Sequence, residues 1–140
     1  MSHDITAISQ ATGEKISFIT IGPLSQGKSW ILYESLDCND FNYGLCGSGN
    51  SKLIHECQIK ISLSKFRYLC GESDDDVIDI VSSSPQCKSS VSVLKSILMS
   101  IGKRFYREDV KLKCDEESLL DVERFLLSIQ NNGDIFIKFE

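Results

Sequence analysis

Between residues 16 and 29 the chain reads Ile16-Ser17-Phe18-Ile19-Thr20-Ile21-Gly22-Pro23-Leu24-Ser25-Gln26-Gly27-Lys28-Ser29. A β-branched apolar run feeds into Gly-x-x-x-x-Gly-Lys-Ser, the pattern of a loop that cradles phosphate between a strand and a helix. The glycines let the backbone wrap so that successive N–H groups face one oxyanion. The start of the following helix adds partial positive charge. In this reading Gly22, Ser25, Gln26, Gly27, Lys28 and Ser29 bind the phosphates. Lys28 reaches the outer phosphates, and the Ser29 hydroxyl holds Mg²⁺. Pro23 is tolerated where its missing N–H is not a donor. The same letters can also arise in a strand–turn–helix that binds nothing, so the stretch constrains the fold more firmly than the activity.

The bulk properties narrow the class. A chain of 140 residues with 41% hydrophobic content suits one domain with one core. Fifteen basic against twenty acidic residues leave a net charge of −5, which argues against a dedicated nucleic-acid surface. No apolar run reaches membrane-spanning length, and the first residues lack the regions of a signal peptide. The expectation is a cytoplasmic protein without membrane partners. Cys38, Cys46, Cys57, Cys70, Cys87 and Cys114 form no Cys-x-x-Cys pair, so they read as buried thiols rather than a disulfide framework.

Taken in order, residues 1–15 read as a flexible lead-in and 16–140 as a single domain. Residues 14–21 form the first strand, buried on both faces as in a parallel sheet. Residues 28–36 form a short helix. Residues 37–51, rich in Gly and Asn, form a loop. The alternation in residues 58–63 and the run 66–70 suggest an antiparallel hairpin. Glu72 to Asp76 reads as an acidic solvated turn, and residues 77–81 as a strand. Residues 89–101 carry apolar side chains at helical spacing, with Gly102 as cap. Lys103 to Arg107 is a basic connection holding Phe105 and Tyr106. A short strand at 109–113, a helix at 116–129 and a last strand at 135–139 complete the chain. This alternation predicts a mainly parallel sheet covered by helices.

That order resembles the G domain of translational GTPases, most narrowly the gamma-subunit family of translation initiation factor two, in truncated and divergent form. The resemblance rests on the phosphate-loop pattern, on residues 58–70 as a hairpin, on Ser84-Pro85-Gln86 before a helix, and on Leu112-Lys113-Cys114-Asp115 where the family reads guanine. It implies an α/β, P-loop NTPase-like (small GTPase-like) fold with helices on both faces of the sheet. It implies GTP or GDP with Mg²⁺, Lys113 and Asp115 at the base, and initiation-factor subunits or another protein as partners. The chain departs from the pattern at Leu112, at the first-switch threonine, where Gln58 stands, and at the second switch, whose helix has no room between Gly71 and Val77. No catalytic residue survives these losses, so hydrolysis is expected to be negligible.

Three functional readings follow. The first is a weak or non-hydrolysing nucleotide-binding and protein-interaction module. The second is an active small hydrolase or kinase with Asp79 as its metal-side carboxylate. The third is a structural α/β interaction protein whose phosphate-loop pattern is fortuitous.

Overall fold

The computed structural model describes residues 3–22, 26–38, 51–104 and 107–140. Its elements in chain order are strand β1 (His3–Ser9), strand β2 (Lys15–Ile21), helix α1 (Gln26–Ser35), strand β3 (Ser51–Ile54), helix α2 (Glu56–Leu69), helix α3 (Asp74–Ser82), a 3-10 helix (Pro85–Ser90), helix α4 (Val91–Arg104), helix α5 (Arg107–Lys113), helix α6 (Glu116–Ser128) and strand β4 (Ile135–Phe139).

The sheet corrects the expected architecture. Among the described residues it has four strands in the order β2-β1-β4-β3, and every neighbouring pair is antiparallel. A mainly parallel, P-loop NTPase-like sheet is therefore not what this chain builds. The reason lies in the segments expected to supply the remaining strands. Residues 58–63 and 66–69 belong to α2, with Cys70 as its C-cap, residues 77–81 to α3, and residues 109–113 to α5. The stretch expected as a lead-in contains β1, which pairs with β2 on one side and β4 on the other. β1 and β2 form a hairpin whose turn uses Gly13 at φ +74°, a left-handed value that glycine adopts without strain.

Helices cover one face of the sheet. Ile5, Ala7, Ile19, Ile21, Ile135, Ile137 and Phe139 point inward and join one core with residues of α1, α2, α5 and α6. The alternation in β4, buried at 135, 137 and 139 and exposed at 136 and 138, is that of a sheet with one solvated face. A smaller core of Ile61, Val77, Val81, Cys87, Leu94 and Leu98 forms on the far side of α2, under α3 and α4. The result is three layers: the sheet, a middle layer containing α2, and an outer pair, α3 and α4.

One disulfide joins Cys57 of α2 to Cys87 of the 3-10 helix. This corrects the expectation of free thiols for these two. Their Cα atoms, 5.5 Å apart, lie within bonding range although the residues are 30 apart in sequence. Cys70 and Cys114 are free thiols, Cys38 is buried with its thiol donating to the Leu36 carbonyl, and Cys46 lies outside the described residues.

Candidate functional site

The sequence marks two clusters, around residues 22–29 and 112–115, and the structure brings them together. Pro23, Leu24 and Ser25 lie outside the described residues, as does the side chain of Gln26. Strand β2 ends at Ile21 and helix α1 begins at Gln26. At Gly27 the backbone meets the end of α5 directly. A Cβ placed on Gly27 would stand 1.9 Å from the Lys113 carbonyl oxygen. The Cys114 thiol donates to the Gly27 carbonyl at 3.2 Å. Lys28 donates to the Asp121 carboxylate of α6 at 2.9 Å, and its side chain is only 12% exposed. Ser29 is buried at the edge of the core.

The second cluster is equally engaged. The Lys113 ammonium sits 4.8 Å from the centre of the Trp30 ring, a cation–π contact. The Asp115 carboxylate accepts from the Ser118 amide at 2.7 Å and caps α6. That bond holds its carboxyl below the ordinary value. Leu112 points to solvent. Asp79 lies on the exposed side of α3, and Gln58 accepts from the His55 amide at the start of α2. The loop expected as the first switch falls mainly on residues 39–50, outside the described residues. Phe105 and Tyr106 also fall outside them. Among the described residues no group of three or more His, Cys, Asp or Glu side chains is placed to hold a metal.

Burial drives the nearby thiols away from reactivity. Cys70 is pushed up to about 12, first by desolvation and then by the neighbouring Cys114, Glu123 and Glu72. Cys114 is raised by burial and by Asp115.

A concave site lies next to this packed junction, along the edge of the sheet. A groove of about 440 Å³ runs between β2 and α6. One wall is Ser17, Phe18, Ile19 and Thr20, four consecutive residues of β2. Successive strand residues face opposite sides of a sheet, so a hollow touching four in a row follows the strand's edge. The other wall is Asp121, Arg124, Phe125 and Ser128, an i, i+3, i+4, i+7 stripe of α6. Lys28 closes it through its ion pair with Asp121. Arg124 is 75% exposed, with Nη1 3.9 Å from Asp121, so its charge is available to a ligand. Phe18 is 53% exposed, and the Lys15 ammonium lies 4.3 Å from its ring centre.

A second hollow, of about 490 Å³, lies between α1, β3, α2 and α4 and is lined by Glu34, Asp37, Lys52 and Lys65 among others. Its charges alternate in sign, and Lys52 already donates to the Asp37 carbonyl at 2.6 Å.

The sequence reading missed the β2–α6 site because it placed β2 inside a parallel sheet. The signal was available in α6, where Glu117, Asp121, Arg124 and Ser128 form a polar stripe at helical spacing beside the apolar one. No protein-family model, curated protein or solved structure matches this chain. No helix among the described residues is long and apolar enough to cross a membrane.

Proposed function

We propose that this chain is a protein-interaction module that receives an extended segment of another polypeptide along the outer edge of β2. One observation carries the reading: among the described residues β2 has a strand neighbour on one side only, and its open side faces a groove walled by α6. An edge strand presents backbone N–H and C=O groups at every second residue. A helix standing alongside supplies pockets for the side chains of an added strand, which is how strand addition gains both affinity and selectivity. Phe18 offers an apolar contact and Arg124 a cation for an acidic side chain.

On this reading the Gly-Lys-Ser pattern serves packing. Gly27 is needed where α1 meets the Lys113 carbonyl, and Lys28 is needed for Asp121. The test uses short peptides selected from a displayed random library against the whole chain, followed by hydrogen exchange. Bound peptides are expected to slow the amides of residues 16–21, and Phe18→Lys to weaken binding on the order of tenfold. Peptides that protect only other elements would overturn the reading. Equilibrium dialysis against GTP, GDP and ATP with Mg²⁺ provides the contrast. The expected result is no retention; retention lost in Lys28→Ala would favour a nucleotide-binding module instead.

A further inference from the structure

We infer that the segment taken up along β2 is β2 of a second copy of this chain, so that two molecules join edge to edge into one sheet. This rests on the reading of β2 as a pairing edge and goes on to name the partner.

The first argument is that the edge is guarded at its first residue alone, by Lys15. Proteins blunt solvent-facing edge strands with lysine, proline or brevity. β3, at the other edge, follows that rule with four residues, among them Lys52. β2 has seven residues, and from Ile16 to Ile21 it carries neither charge nor proline. A run of that kind left open is an aggregation hazard, so a soluble chain that keeps it needs it covered.

The second argument is self-complementarity. An antiparallel pairing of β2 with itself about a two-fold axis at Phe18 sets Ser17 against Ile19, Ile16 against Thr20 and Lys15 against Ile21. No like charges meet. The two Phe18 rings, on the solvated face, become a directly opposed aromatic pair. The four strands of each copy then form one sheet of eight.

The third argument is charge. The pairing requires the same two-fold to pass α6 between residues 122 and 123, setting its groove face against its counterpart in antiparallel sense. With the axis there, Asp121 faces the second copy's Arg124, and Arg124 faces the second copy's Asp121. Glu117 falls opposite Ser128. One surface therefore supplies both signs, as an isologous interface requires. One Asp121 oxygen is bonded to Lys28 and the other lies 3.9 Å from Arg124 of the same chain, so the second copy's guanidinium exchanges with that loose pair at the two-fold.

Sedimentation of the whole chain across the micromolar range reads the outcome, with circular dichroism to show that each variant folds. The wild-type chain is expected to run as a dimer. Arg124→Asp should raise the dissociation constant on the order of tenfold by turning two attractions into repulsions. Phe18→Cys gives a second readout. Only the residue on the axis faces itself, so mild oxidation should link Phe18→Cys chains into covalent dimers, while Ser17→Cys and the wild-type chain stay unlinked. A monomer at every concentration would overturn the inference, as would a dimer that cross-links through Ser17→Cys but not Phe18→Cys. If the chain is monomeric yet selected peptides still protect residues 16–21, only the second-copy assignment falls; if neither occurs, the edge-pairing reading falls with it.

Discussion

Gly27 shows how one letter of a motif can be fixed by packing. Its missing side chain is what lets the first turn of α1 lie against the Lys113 carbonyl. Gly27→Ala puts a methyl group into backbone that cannot swing aside. The expected cost is about 2–3 kcal/mol in urea unfolding, with no ligand present. Gly102 gives the contrast. A Cβ there would sit 3.3 Å from the Tyr68 hydroxyl, the far end of a side chain, on an exposed helical turn. Gly102→Ala should be neutral or stabilising by up to about 1 kcal/mol. Asp115 tests the other half of the junction through pH. Its carboxyl is held below the ordinary value by the Ser118 amide, so the charged form is favoured in the folded state. That contribution is present above the unfolded carboxylate value, near pH 4, and is lost as pH falls through the folded one. Asp134, lowered by His55 and the Glu56 amide, acts in the same direction. Asp115→Asn keeps a capping side chain but removes the titration. Melting curves should show little change at neutral pH and a shallower loss of stability below about pH 4.

At the scale of the element, the sequence was legible where a helix buries one stripe and misleading where it buries two. Helix α6 shows its core positions at helical spacing, and β4 alternates cleanly, so both were readable. Helix α2 was not, because it lies between two cores. Ile59, Leu63, Phe66 and Leu69 enter the main core, whereas Ile61 enters the smaller one on the opposite side. Apolar residues at 59, 61 and 63 then imitate the period-two pattern of a strand. Helix α3 carried a usable signal in Ser73 followed by Asp74, Asp75 and Asp76. The Ser73 hydroxyl accepts from the Asp76 amide at 3.3 Å, and the acids sit at the positive end of the helix. The β-branched run of residues 77–81 outweighed it. The bond between Cys57 and Cys87 left no mark in the spacing, because contact between α2 and the 3-10 helix is a tertiary fact. It closes a loop of 30 residues. Its reduction, or Cys57→Ser, is expected to cost about 3–4 kcal/mol by loop-closure entropy. Hydrogen exchange should place the loss of protection first in α3 and α4, which pack on the smaller core.

For the whole molecule, the part that matters most is the one least visible from the sequence. β1 sits between β2 and β4 and donates Ile5 and Ala7, both fully buried, to the main core. The signal in residues 1–9 is short, Asp4 and Thr6 alternating with the apolar Ile5 and Ala7. Asp4, Thr6 and Ser9 interrupt the apolar positions, and the polar residues face partners only the fold supplies, as where the Thr20 hydroxyl donates to Asp4 at 2.7 Å. Without β1 the sheet divides: β2 loses its only described strand neighbour, and β4 keeps only the four-residue β3. Burying one isoleucine is worth roughly 2–3 kcal/mol, and two ladders of backbone hydrogen bonds go with it. Set against a net stability of about 5–15 kcal/mol for a domain, that loss is decisive. A chain starting at residue 10 is therefore expected to be unfolded, with a collapsed proton–nitrogen spectrum and no cooperative melting transition. If it retained dispersed resonances from β2 and β4, the central place of β1 would be wrong, and the open edge of the sheet would have to be sought elsewhere.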